Sequence, residues 1–176
     1  MTFKDLELEP KIGYTEVKVG DGKILKVADY LPIVDKGNFI TFIVDLSLDD
    51  TTGCFSPVRV ETYFAIALCR WYAGLSFDEE DVHDNIAKTY DTLETNGVID
   101  AIRSAIPQEE LCFMEDLVKD TIKDIARYNN SAAGIIQMMN QNAGGLNEQI
   151  TDMLNKIKNG ENLETLSVIK DVVGTD

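Results

Sequence analysis

Histidine is nearly missing from this chain: His83 is the sole imidazole among 176 residues. A serine or cysteine nucleophile usually needs a positioned base, and one imidazole set in the acidic turn Asp78-Glu79-Glu80-Asp81-Val82-His83-Asp84 gives no cue to a nearby nucleophile. Cysteine is equally sparse. Cys54, Cys69 and Cys112 are odd in number, far apart and without a CxxC spacing, so neither a disulfide framework nor a zinc site is indicated. Lys and Arg total only 16 against 31 Asp and Glu, a net charge of −15, which argues against a nucleic-acid binder built on clustered bases. No apolar run approaches the roughly 20 residues of a membrane span. Also missing are a Gly-rich dinucleotide fingerprint, an HExxH and a phosphate loop; Gly20-Asp21-Gly22-Lys23 lacks the five-residue arch and the following Ser or Thr. These absences lead to the expectation of a non-enzymatic protein with no catalytic residues, no cofactor, no metal, no direct nucleic-acid contact and no membrane segment.

What is present is a helical protein. The stretch around which the rest is organised is Pro57 to Gly74, in which Val58, Val60, Tyr63, Phe64, Ile66, Ala67, Leu68, Trp71 and Tyr72 cover most of the helix circumference. Pro57 suits a first helical turn and Gly74 a stop. A helix apolar on so many sides belongs in the centre of a bundle. At 44% apolar and 27% charged residues, the chain can bury one substantial core of its own.

Ahead of this helix, Ile12, Tyr14, Val17 and Val19 lead into Gly20-Asp21-Gly22-Lys23 and then Ile24, Leu25 and Val27, a pattern that predicts a β-hairpin. Two strands alone are marginal in water, so the hairpin must pack on the helices or join a neighbour. Pro32 ends it, and Asp35 or Asn38 is the expected cap of a helix carrying Ile40, Phe42, Ile43, Val44 and Leu46. The run Asp45, Ser47, Asp49 matches three calcium-loop positions, but Asp50 and Ser56 fall where Gly and Glu are required. After Gly74, Ser76 with Glu79 is the expected capping box of a helix with Ile86, Tyr90 and Leu93 on its buried stripe, ended by Asn96-Gly97. Val98 to Ile106 forms a short helix closed by Pro107.

From Gln108 onward, apolar residues from Leu111 to Met139 recur at spacings of three and four, which predicts a long amphipathic helix that either kinks near Asn129-Asn130-Ser131 or protrudes into a partner. Ala143-Gly144-Gly145 is a joint, followed by two short amphipathic helices, one with Leu146, Ile150, Met153, Leu154 and Ile157 and one with Leu163, Leu166, Ile169, Val172 and Val173. The expected fold is mainly α, a helical bundle with a small N-terminal β-hairpin. It divides into an arm and hairpin over 1–31, a helical core over 32–142 and a C-terminal helical pair over 143–176. Ile12, Tyr14, Val17 and Val19 on the hairpin and Leu163, Leu166, Ile169 and Val173 on the tail are the candidate partner-binding residues.

A series of short signatures carries a resemblance: Tyr30-Leu31-Pro32; Ser56-Pro57 and Val60-Glu61 leading to Trp71-Tyr72; Tyr90-Asp91; Asn96-Gly97-Val98-Ile99-Asp100; Ile106-Pro107 with Glu109-Glu110; and Tyr128, Asn130, Ser131 and Gly134-Ile135. Over about residues 25 to 140 the chain resembles small acidic proteins of tailed bacteriophages of low-GC bacteria, carried with virion-structure and assembly genes. The resemblance implies a structural or morphogenesis protein: a subunit of the head, neck or tail-proximal assembly, made in the host cytoplasm and found in the virion. Its implied partners are other phage structural proteins and further copies in a symmetric homo-oligomer. Two alternatives stay open, a soluble regulator that imitates DNA through its acidity and an assembly chaperone absent from the finished particle.

Overall fold

In the computed structural model, residues 11–20, 22–49 and 54–129 are described, together with Asp5, Glu9 and Ser131. The chain is mainly helical, with one two-stranded antiparallel hairpin at its N-terminal side. Chain contacts group Met1–Ala126 into one compact unit and Arg127–Asp176 into another. The expected tail helices, with Leu163, Leu166, Ile169 and Val173, lie outside the described residues.

Strands β1 (Tyr14–Val19) and β2 (Lys23–Ala28) pair in the register Tyr14↔Ala28 to Val19↔Lys23. Gly20 and Gly22, at φ +50° and +86°, supply the left-handed backbone that the tight connection needs. Side chains alternate across the sheet, so Val17, Val19, Leu25 and Val27 turn toward the helices while Tyr14, Glu16, Lys18, Ile24 and Lys26 are exposed. The hairpin belongs to the first compact unit: Val19, Val27, Ala28 and Leu31 are part of its core.

Helix α1 (Ile33–Ser47) begins directly after Pro32, whose carbonyl accepts the Lys36 N–H at 2.9 Å. Neither Asp35 nor Asn38 caps it, because proline's extended backbone already sets the first turn. Its last turns contain Asp45 and Ser47, so the first two positions of the calcium-like run are helical. The ends of the following loop are pinched by a Leu48↔Phe55 bridge and an Asp49 N–H bond to the Cys54 carbonyl.

The central helix matches its expected bounds. α2 (Pro57–Ala67), with Ser56 as N-cap and Pro57 at the first position, runs into a π-helical turn, Leu68–Tyr72. Gly74 at φ +65° then turns the chain, and the Leu75 N–H closes the end on the Cys69 carbonyl. Every residue from Tyr63 to Cys69 is buried. The wider π turn lets the sequence neighbours Trp71 and Tyr72 both reach Phe39 of α1, with ring centroids 5.8 and 6.2 Å away; Phe64 meets the same ring edge-on at 5.4 Å.

The next segment departs from expectation. Instead of one helix from Ser76, the chain forms α3 (Glu79–Val82) and α4 (Ile86–Thr95). Asp78 is the cap, and Asp81 completes its capping box in place of Ser76 and Glu79. The break follows from Asn85, whose N–H and side-chain amide both turn back to Glu80, at 2.8 Å each, and interrupt the ladder. Ile86, Tyr90 and Leu93 lie half-buried against the core, as their spacing predicts. Gly97, at φ +67°, joins α4 to α5 (Val98–Ala105).

Helix α6 (Gln108–Asn129) buries Leu111, Met114 and Val118, one face at spacings of three and four. At its far end, the Ser131 N–H and hydroxyl both donate to the Tyr128 carbonyl, a tight turn at the place where a kink was one of the two expectations. Whether helix resumes toward Met139 lies outside the described residues.

Candidate functional site

Lys36 stands out because of its position. It lies on α1 three residues before Phe39 and seven before Ile43, on the helix's apolar face, and is only 4% exposed. A buried ammonium requires a counter-charge. Glu110, in the first turn of α6, provides it at 2.7 Å through Oε2. The other carboxylate oxygen, Oε1, accepts the Tyr72 hydroxyl at 3.0 Å and the Leu31 N–H at 3.2 Å. One carboxylate thereby ties together the exit of the hairpin, α1, the central helix and α6. The Lys36 ammonium also lies 4.3 Å from the centroid of the Tyr30 ring and 4.7 Å from that of Phe113. Burial, and after it the charge and hydrogen bond of Glu110, raise the Tyr72 phenol above its ordinary range, so it acts here as a donor.

Around this buried pair the surface is apolar. Tyr30 and Phe113 are about half exposed over the ammonium, and Ile33, one turn before Lys36, is 75% exposed beside Val34 at 70%. Val58, at the start of α2, is as open as Ile33.

A second surface feature is a cleft of about 410 Å³ bounded by α1, the π turn and the start of α3. Phe42, Leu46, Phe77 and Val82 make its apolar part; Asp45, Asp78, Glu79, Arg70 and His83 are its charged or titratable lining. The Arg70 guanidinium lies over the Phe42 and Trp71 rings, 5.6 and 5.3 Å from their centroids. His83, the one histidine, is exposed at the end of α3.

The cysteines are divided by burial. Cys69 is enclosed in the central helix, and desolvation pushes its thiol up to about 12 despite the opposing effect of Arg103; Cys54 and Cys112 are exposed. Among the described residues, no group of three or more His, Cys, Asp or Glu side chains is arranged to hold a metal ion, and no helix is long and apolar enough to cross a membrane.

Of the expected partner-binding residues on the hairpin, Tyr14 is exposed, Ile12 and Val17 are partly buried against the helices, and Val19 is buried. The period-two alternation of a strand separates Tyr14 from Val17 and Val19, so these residues do not form one surface. The other large apolar side chain on the outward face is Ile24, opposite Lys18 near the turn, while Tyr14 stands opposite Ala28 at the other end of the hairpin. Sequence reasoning passed over the Lys36–Glu110 pair. Its signal was a lysine in phase with Phe39 and Ile43.

The comparisons with known proteins supply no relative: no family model, curated protein or solved structure matches this chain.

Proposed function

We propose that this protein is a non-enzymatic subunit of a bacteriophage particle, part of the head, neck or tail-proximal assembly, and that it acts through protein–protein contacts. The observation that carries the reading is the open apolar surface at the start of α1. Ile33 and Val34 are exposed at the start of the helix, and Tyr30 and, from α6, Phe113 each lie against the Lys36 ammonium with about half of their surface open. Exposed large apolar side chains of this kind are characteristic of an interaction site. The sequence resemblance to small acidic phage proteins supplies the particle. Its partners in this reading are other virion proteins and further copies of itself; it is made in the host cytoplasm and retained in the virion.

The acidity fits a solvated surface better than an imitation of DNA. On the outer side of α6, Lys119 lies 3.5 Å from Glu115 and 4.0 Å from Asp116, and Lys123 lies 3.0 Å from Asp120. Interleaved bases of this kind break up the row of negative charge that a phosphate mimic needs.

Mass spectrometry of purified particles tests the proposal. A fixed stoichiometry in particles washed at high salt is expected. Its absence from finished particles, with presence in assembly intermediates, would favour the chaperone reading; absence from both would remove the virion role.

A further inference from the structure

The hairpin differs in charge from everything around it. Residues 11–28 contain Lys11, Lys18, Lys23 and Lys26 against Glu16 and Asp21, a net of +2 in a chain of −15, which leaves −17 on the remainder. The strand register gathers part of this charge on one face: Glu16 pairs with Lys26 and Lys18 with Ile24, and these four side chains share the outward side with Tyr14. Tyr14 and Ile24, 63% and 57% exposed, are large apolar groups held among lysines. Among the described residues nothing pairs with this sheet beyond its own two strands.

The cleft between α1, the π turn and α3 has the opposite character. Its apolar floor is overlooked by Asp45, Asp78 and Glu79 against the single guanidinium of Arg70. The carboxylates of Asp45 and Glu79 are exposed and form no ion pair or side-chain hydrogen bond among the described residues.

We propose that the outward face of the hairpin of one copy docks in this cleft of a second copy. Tyr14 and Ile24 meet the apolar floor, Lys18 and Lys26 face Asp45 and Glu79, and Glu16, the lone acid of the outward face, falls to Arg70, the lone guanidinium of the cleft. The partner is another copy of this chain because the two surfaces match in sign and in apolar content at close range. The two surfaces are different parts of the molecule, so the contact is head-to-tail and repeats into a ring or a filament instead of stopping at a two-fold dimer. The inference rests on the reading of this protein as an assembly subunit and names one of its partners.

Sedimentation velocity on the full-length protein tests it, with two charge-reversed variants, Lys18→Glu/Lys26→Glu on the hairpin and Asp45→Lys/Glu79→Lys in the cleft. All four positions are exposed, so each variant is expected to fold; Lys26→Glu faces Glu16 across the strands and Glu79→Lys enters the first turn of α3, so each thermal midpoint is expected to fall slightly and is measured alongside, with association compared below it. Wild-type protein should self-associate with rising concentration, and more weakly as salt is raised. Each variant alone should associate at least about tenfold more weakly, since like charges then face one another. Mixing the two should restore association, because the unaltered hairpin of one meets the unaltered cleft of the other. Wild-type association that neither variant weakens, or a mixture no stronger than its parts, overturns the docking while leaving the assembly role standing. A wild-type protein that stays monomeric throughout also overturns the docking, and the particle mass spectrometry then decides the assembly role separately.

Discussion

Lys36 and Glu110 are 74 residues apart in sequence and 2.7 Å apart in space, and the carboxylate of this pair also receives Tyr72 and the Leu31 backbone. Removing one member leaves the other charge buried without a partner. Lys36→Met is therefore expected to destabilise the fold by about 3–5 kcal/mol. Glu110→Gln should cost at least as much: its amide oxygen still accepts from Tyr72 and Leu31, but the Lys36 ammonium is then buried without a counter-charge, facing an amide NH2. Urea denaturation of the two variants measures both costs, and a loss below about 1 kcal/mol in each would mean that the ion pair contributes little.

Alkaline pH should unfold the protein through two buried acids. Cys69 is raised from 9 to about 12 and Tyr72 is raised above 10, so the native state holds protons that the unfolded chain releases. A raised folded pKa gives stability that is complete below the unfolded value and is lost as pH climbs past it. Urea midpoints are expected to be level through neutrality and to fall from about pH 9 upward, more gently in a Cys69→Ala variant. A flat profile to pH 11 or so would contradict the burial of both groups.

The thiols make a simpler test. A disulfide reagent added to native protein should modify Cys54 and Cys112 quickly and Cys69 only on unfolding. Fast reaction of all three would place the central helix nearer the solvent than its packing allows.

Two glycines should respond to alanine with opposite signs. Gly97 sits at φ +67°, which an alanine tolerates poorly, and Gly97→Ala is expected to destabilise by about 1 kcal/mol. Gly37 lies within α1 with nothing near the place its Cβ would occupy, so Gly37→Ala should stabilise by roughly 0.5–1 kcal/mol. Thermal melts of the two variants are the measurement. Shifts in the same direction would sink the assigned backbone conformations.

Much of the fold was legible because it depends on local pattern. Pro57 and Gly74 bracket the central helix, the β-branched runs around Gly20 and Gly22 form the hairpin, and Leu111, Met114 and Val118 mark the buried side of α6. The split at Asn85 was less visible, since it arises from one side chain competing for Glu80. Strand parity was readable but was not applied: Tyr14 is even, Val17 and Val19 odd, and an alternating strand must send them to opposite sides. The Lys36–Glu110 pair was out of reach for another reason. Glu110 accounts for itself as an acid in a helix's first turn, and only tertiary structure brings Lys36 to it.

The distance in sequence between that lysine and its counter-ion also sets an order of events during synthesis. The hairpin, α1 and the central helix are all synthesised before Glu110, so until then Lys36 lacks the carboxylate that accompanies it into the interior. A nascent chain halted before α6 is expected to hold this amine in water and its aromatic layers loosely assembled. Glu110 arrives together with Leu111, Met114 and Val118, so α6 brings the counter-charge and its share of the core at once.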